Sequence, residues 1–304
     1  MKVFVTGVGG QLGHDCVNEL VRRGHEAVGS DIAAQYAGVH EGRTAAEVPY
    51  IQLDITDEKT VQGTIAALKP DAVIHCAAWT RVDAAEDEEN RPKAEAVNHW
   101  GTRFIAEAAK AVDARMLYLS TDYVFDGKGE TPWRPDDKNY APQNFYGVTK
   151  LEGEKEVSRL LEKYFIVRTA WLFGRNGENF IKTMIRAGKT HDAVRVVTDQ
   201  IGTPTYTPDL ARLLVDMAET EKYGCYHAAN EGGYISRYDF CREIFRQYGL
   251  KTKVIPVTTE EYGVAKAARP KNCRLDKSKL AEAGFALLPD WKDAVSRYIK
   301  EADL

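Results

Sequence analysis

The chain opens with Lys2-Val-Phe-Val-Thr6 and runs directly into Gly7-Val-Gly-Gly10-Gln11-Leu12-Gly13. Few folds accommodate that beginning. Val3-Phe-Val-Thr6 reads as a short apolar strand, and Leu12, Cys16, Val17, Leu20 and Val21 mark one face of a helix. Arg22-Arg23-Gly24 then supply C-terminal cations and a glycine stop. Between strand and helix, Gly7 permits a tight turn, Gly10 lets backbone approach a ligand, and Gly13 lets the helix pack closely on the strand. A helix N-terminus in this setting is a seat for a pyrophosphate. The spacing is G-x-x-G-x-x-G rather than G-x-G-x-x-G.

The first half repeats the alternation. A second strand, Glu26-Ala-Val-Gly-Ser30, ends on Asp31, about 20 residues beyond the glycines, where a carboxylate accepts hydrogen bonds from ribose hydroxyls. It would repel a 2′-phosphate, so NADH is favoured over NADPH. Residues 32–49 carry no strong period and read as a loop. Residues 50–55 form a third strand ending on Asp54-Ile55, where an adenine would lie, and Thr56 or Asp57 caps the next helix. Residues 71–78 are a fourth strand, near-continuously apolar as in a sheet covered on both faces. Its small end, Ala77-Ala78, leaves room for a cofactor, whereas His75 inside it reads as a core histidine. A long helix from Asn98 and a fifth strand over 115–120 follow. Strands alternating with helices predict a doubly wound, parallel Rossmann sheet. Ligands collect at the C-terminal strand ends of such sheets, where Gly7, Asp31, Asp54, Ala77 and Thr121 all fall.

The fifth strand delivers Ser120-Thr121-Asp122, and Tyr146-Gly-Val-Thr-Lys150 follows on a helix predicted to run to about residue 162. A tyrosine and a lysine four apart share one helical face. A free phenol has a pKa of about 10. A nearby ammonium would bring it toward the working range. A hydroxyl from Ser120 or Thr121 would hold a substrate carbonyl.

Taken together, Thr6-Gly-x-x-Gly-x-x-Gly13, Asp31, Asp54-Ile55, Ala77-Ala78, Asn98, Ser120-Thr121-Asp122 and Tyr146-x-x-x-Lys150 resemble an extended short-chain dehydrogenase/reductase. Ser-Thr-Asp-Tyr-Val-Phe-Asp-Gly (120–127), Asn-Phe-Tyr-Gly-Val-Thr-Lys (144–150), Arg168-Thr-Ala-Trp171, Asp199-Gln-Ile-Gly-Thr-Pro-Thr205 and Arg269-Pro-Lys-Asn272 are similar to the dTDP-4-dehydrorhamnose reductase family. The resemblance implies NAD(P)H-dependent reduction of the C4 keto group of dTDP-4-dehydro-L-rhamnose. It implies Tyr146, Lys150 and Thr121 as catalytic residues. Cofactor contacts would come from Gly7, Gly10, Gln11, Leu12, Gly13, Asp31, Asp54, Ile55, Ala77, Ala78, Trp79, Ser120, Tyr146 and Lys150. Substrate contacts would come from Thr121, Asp122, Trp171, Asn179 and Arg269, the last offering a fork of donors to a diphosphate. Trp79 stands where the reductases are expected to have tyrosine or histidine. Alternatives are another nucleotide-sugar reductase, an epimerase or dehydratase that recycles its NAD, and a non-catalytic subunit resembling the regulatory subunit of methionine adenosyltransferase.

The expected organisation is a dinucleotide-binding domain over residues 1–165 and a smaller, interwoven α+β substrate-binding domain over 166–304. A strand and helix near 194–222 are expected to return to the first domain's sheet. The 304 residues carry a net charge of −4, which argues against a nucleic-acid surface. No apolar stretch approaches the roughly 18 residues that span a membrane. The N-terminus has no signal-peptide apolar region, so a cytoplasmic protein is expected, as a monomer or homodimer. Five cysteines lie scattered without metal-ligand spacing. Some relatives dimerise around magnesium, but no carboxylate cluster is assigned to it here.

Overall fold

The computed structural model describes residues 1–40, 45–263 and 265–302. The first half contains β1 (Lys2–Thr6), α1 (Gln11–Arg22), β2 (Glu26–Asp31), β3 (Tyr50–Gln52), α2 (Glu58–Leu68) and β4 (Ala72–His75). It continues with α3 (Arg91–Glu95), α4 (Thr102–Ala111), β5 (Arg115–Thr121), α5 (Phe145–Leu160) and β6 (Tyr164–Thr169). Next come β7 (Leu172–Phe173), α6 (Phe180–Thr190), β8 (Ala193–Val197), β9 (Ile201–Gly202), β10 (Thr205–Tyr206), α7 (Thr207–Ala218) and β11 (Gly224–His227). The last part holds β12 (Asn230–Glu231), β13 (Ile235–Ser236), α8 (Arg237–Tyr248), β14 (Lys253–Val257) and α9 (Thr259–Tyr262). It ends with β15 (Asn272–Cys273), α10 (Ser278–Glu282), β16 (Leu288–Asp290) and α11 (Trp291–Glu301).

Seven strands form one sheet in the order β3-β2-β1-β4-β5-β6-β11. Every neighbouring pair is parallel. Side chains alternate along each strand, so both faces are apolar and both must be covered. Val3, Val5, Ile74, Leu117 and Phe165 pack with Leu20 of α1 and Leu210 of α7. Phe4, Val73, Met116 and Ile166 pack on the other face with Ile65 of α2 and Ile105 of α4. The order reverses between β1 and β4, which opens a crevice at their C-terminal ends.

The later segments build four small sheets: β7 with β10, β8 with β14, β12 with β16, and β13-β9-β15. A separate apolar cluster lies among them, including Phe173, Tyr206, Phe240, Trp291 and Tyr298. The strand expected near 194 does not return to the large sheet. β8 alternates buried and exposed residues, as suits a ribbon with one wet face, and pairs with β14. The strand that returns is β11, which pairs with β6, and α7 covers α1.

Two more local expectations change. The helix expected to start at Asn98 begins at Arg91 and passes through a π-helical segment, Ala96–Gly101. Its early start follows from Pro92 in the first turn, where a missing N–H is harmless. Trp171, at φ +51°, stands between β6 and β7. α5 ends at Leu160, slightly before the expected stop.

Leu210 is fully buried where α7 meets α1 and the sheet. Leu210→Ala is therefore expected to lower unfolding free energy by about 2–5 kcal/mol. Urea denaturation measures this, and a change under 1 kcal/mol would contradict close packing at the α1–α7 seam.

Candidate active site

The crevice holds a cavity of about 700 Å³, lined at one end by Gly7, Gly10, Gln11, Leu12 and Gly13. Gly7 adopts φ +72°, and a Cβ there would sit 2.6 Å from the Ala77 backbone nitrogen. A Cβ on Gly13 would collide with the Gly7 carbonyl oxygen. Strand, turn and helix touch through backbone, which only glycine permits. Gly10, at the N-cap of α1, makes no side-chain cap. The helix therefore presents its N-terminal amides to the cavity, suited to an anion.

Asp31 and Asp54 line the same cavity at the ends of their strands, with Ile55 beside them. Asp31 accepts from Gly9 N–H at 2.9 Å and from Ile32 N–H at 2.8 Å. Each carboxylate oxygen retains a lone pair for a ribose hydroxyl. Asp54 accepts from Thr56 N–H and Oγ1 at 2.9 and 2.7 Å, forming a local turn. Ala77, Ala78 and Trp79 make the wall beyond β4. Asn98, in the π-helical segment, holds that wall: its Oδ1 accepts from Trp79 N–H at 2.9 Å, and its Nδ2 donates to Trp79 O and Thr149 Oγ1, both at 3.0 Å. The residues form a long groove with an anion seat, two carboxylates and small side chains, which fits a dinucleotide.

Ser120, Tyr146 and Lys150 line the other end. Asn144 caps α5, accepting from Gly147 N–H at 2.8 Å, and Glu86 accepts from Phe145 N–H at 2.7 Å. Burial pushes the Lys150 ammonium down to about 7, with the Glu154 carboxylate opposing that shift. The Lys150 Nζ lies 4.2 Å from the Tyr118 ring centroid. Burial, and then the Asp122 charge, push the Tyr146 phenol above its ordinary value, while Thr121 pulls against them. The shift runs opposite to the lowering expected from Lys150, because burial disfavours the phenolate and the Asp122 carboxylate repels it. Tyr146 remains a protonated phenol at neutral pH. His75 accepts no catalytic part: it bonds Thr6 and Thr102 at 2.8 and 3.2 Å, and burial drives its pKa to about 3.

Over residues 1–304 the chain matches the RmlD substrate binding domain family model. It belongs to that family. It is 40% identical to a Streptomyces griseus dTDP-4-dehydrorhamnose reductase over 299 residues, 96% of this chain and 91% of the relative. A spore coat polysaccharide biosynthesis protein, SpsK, of Bacillus subtilis is 35% identical over 300 residues, 99% of this chain and 97% of SpsK. Among solved structures, a dTDP-4-dehydrorhamnose reductase from Bacillus anthracis in complex with NADP aligns at TM-score 0.88 and 39% identity, covering 99% of both chains.

Five residues of this RmlD-family chain expected at the substrate lie outside the cavity lining. Thr121 Oγ1 donates to Asp122 Oδ1 at 3.1 Å, and Asp122 is buried with its pKa raised to about 6 by desolvation. Trp171 is buried against Phe240. Arg269 makes a two-pronged ion pair with Asp83, at 3.1 and 2.6 Å. Asn179 caps α6, accepting from Lys182 N–H at 3.0 Å. Its Nδ2 faces Gly174 O, Tyr298 Oη and Gln11 Oε1 within 3.1 Å. In this structure the Asn179 amide is engaged by the fold itself, through its oxygen at the start of α6 and through its nitrogen with Gly174, Tyr298 and Gln11. Among the described residues, no group of three or more His, Cys, Asp or Glu is placed to hold a metal ion. Among them, too, no helix is long and apolar enough to cross a membrane.

Glu154 was not singled out in the sequence. It is buried, accepts from Ser120 Oγ at 2.5 Å, and binds Arg168 through both oxygens at 2.8 and 2.6 Å. The signal was available: 146, 150 and 154 are one helical stripe. Glu154→Gln should destabilise the protein by about 3 kcal/mol or more, because it strands a buried guanidinium. Replacing both partners with apolar residues should recover much of that loss. Urea denaturation of both variants is the check, and equal losses in the two would exclude a charge-pair origin.

Proposed function

We propose that this protein reduces the C4 keto group of dTDP-4-dehydro-L-rhamnose to give dTDP-L-rhamnose, using NADH or NADPH. The observation that carries the reading is the placement of Tyr146 and Lys150 at one end of a dinucleotide-shaped cavity whose other end is a glycine turn and Asp31. Full-length membership of the RmlD family supports it. We infer a dinucleotide-binding part up to about residue 165, with substrate recognition mainly in the rest, and a cytoplasmic setting.

The amides of Gly10, Gln11, Leu12 and Gly13 hold the cofactor pyrophosphate at the positive end of α1. Asp31 accepts from the adenosine ribose hydroxyls, and Asp54 and Ile55 flank the adenine. The nicotinamide, when bound, supplies the hydride. Tyr146 donates its phenolic proton to the oxygen at C4, the step for which burial keeps it protonated. Thr121 turns its hydroxyl proton from Asp122 to the same oxygen as charge develops there. Lys150 holds the nicotinamide ribose and offsets the charge left on Tyr146. Glu154, through Ser120, fixes the strand end that presents Thr121.

The testing assay follows absorbance at 340 nm with NADH, then NADPH, and enzymatically prepared dTDP-4-dehydro-L-rhamnose. Stoichiometric oxidation is expected; cofactor binding without oxidation would sink the reaction assigned. Tyr146→Phe should lower turnover by about 10²–10⁴-fold while leaving NADH affinity nearly intact. A variant with near-normal kcat would remove Tyr146 from the acid role. Asp31→Ala should weaken NADH more than NADPH, since the lost carboxylate binds one ribose and repels the 2′-phosphate of the other. Equal changes in the two KM values would rule that role out.

A further inference from the structure

Helix α8 begins at Arg237, and a capping box of Ser236 and Asp239 fixes its first turn: Ser236 Oγ accepts from Asp239 N–H at 3.0 Å and donates to Asp239 Oδ2 at 2.6 Å. The Arg237 guanidinium lies on the Trp171 ring, with Cζ 3.9 Å from the centroid, and 5.1 Å from the Phe180 ring centroid. Trp171 is held there with φ +51°, its ring 6.3 Å from that of Phe240 and nearly parallel to it. Stacking uses the flat face of a guanidinium and leaves its in-plane N–H donors directed outward. Among the described residues, nothing makes a hydrogen bond or ion pair with those donors. Arg168, Arg269 and Arg297, by contrast, are each closed by a carboxylate through two bonds.

The vacant fork stands beside the reaction centre. Asp122 lies in its field but does not reach it: one oxygen bonds Thr121, and the other is buried without a hydrogen-bond partner among the described residues. Tyr123 also lies in that field, and its ring meets the Tyr146 ring edge-on at 5.9 Å. Arg237 thus sits just beyond the side chains that surround Tyr146, outside the lining of the cavity that holds the glycine turn and Asp31. A half-buried cation without a counterion is poorly solvated, and an anion with several acceptor oxygens would relieve that.

We propose that Arg237, seated on Trp171, is the anion anchor of the substrate end and grips the diphosphate of a nucleoside-diphosphate sugar. This deepens the function proposed above and rests on it for the identity of the sugar nucleotide. Arg269, assigned that contact by resemblance, has its fork engaged by Asp83. The aromatic support keeps Arg237 oriented before the ligand arrives, so little ordering is required on binding.

Calorimetric titration of the NADH-loaded protein with dTDP, and separately with thymidine, tests the assignment. Arg237→Gln should weaken dTDP about tenfold or more while leaving thymidine affinity as in the parent. Arg237→Lys, which keeps the charge but not the fork, should weaken dTDP several-fold, and it carries the test if the Gln variant does not fold. Unchanged dTDP affinity in the folded variants overturns the anchor. So does an equal loss for thymidine, which would make Arg237 a support for Trp171 only, and so does a parent protein that binds no dTDP. Arg237-dependent dTDP binding in a parent that leaves NADH unoxidised would uphold the anchor and defeat the proposed reduction instead.

Discussion

The buried pair of Glu154 and Arg168 holds the reactive helix against the sheet. Glu154 rises from α5 one turn beyond Lys150, and Arg168 comes from β6; the same carboxylate binds Ser120 at the end of β5. Three elements therefore meet at one charge. Arg168 is further tied to Pro135 O at 3.1 Å and Tyr140 Oη at 2.9 Å, drawing the 133–140 loop onto the same point. An apolar contact could stabilise these elements as well, but it would not orient a hydroxyl or place a negative charge near Lys150. The arrangement sets where Tyr146 and Lys150 stand and biases how readily Lys150 keeps its proton.

The opposite end of the cavity is governed by contact distance rather than charge. Backbone meets backbone at Gly7, Gly13 and Ala77, and no side chain fits between them. That requirement is local, which is why it could be read from the chain. Strand periodicity, the glycine turn and the strand-end carboxylates all depend on residues close in sequence. What escaped reading depends on distant partners. Nothing near Glu154 announces Arg168, fourteen residues later and one element away. Nothing near Asn179 announces Gln11 and Tyr298, which fill its hydrogen bonds. The misplaced strand at 193–197 had the right local pattern, and only its partner was wrong.

Two unusual local states meet where α8 begins: a tryptophan with left-handed backbone and an arginine stacked on it whose side chain has no hydrogen bond or ion pair among the described residues. A non-glycine residue at positive φ is strained and persists only when its surroundings hold it. The contacts of Trp171 with Phe240 and Arg237 do so. The break between β6 and β7 is the backbone consequence, since a regular strand cannot continue through that conformation.

The seventh strand of the sheet bears on how the chain assembles. β11 joins β6 only after more than fifty intervening residues, and α7 covers a helix laid down near the N-terminus. During synthesis, the early strands emerge with β6 as an open edge and the apolar flank of α1 uncovered. Such long-range closure slows folding and leaves a pairing-competent edge exposed while the ribosome works. The last strand covers the edge of β6 and becomes the outer edge of the sheet itself, a strand of only four residues, and a short edge offers little backbone for a second chain to pair with.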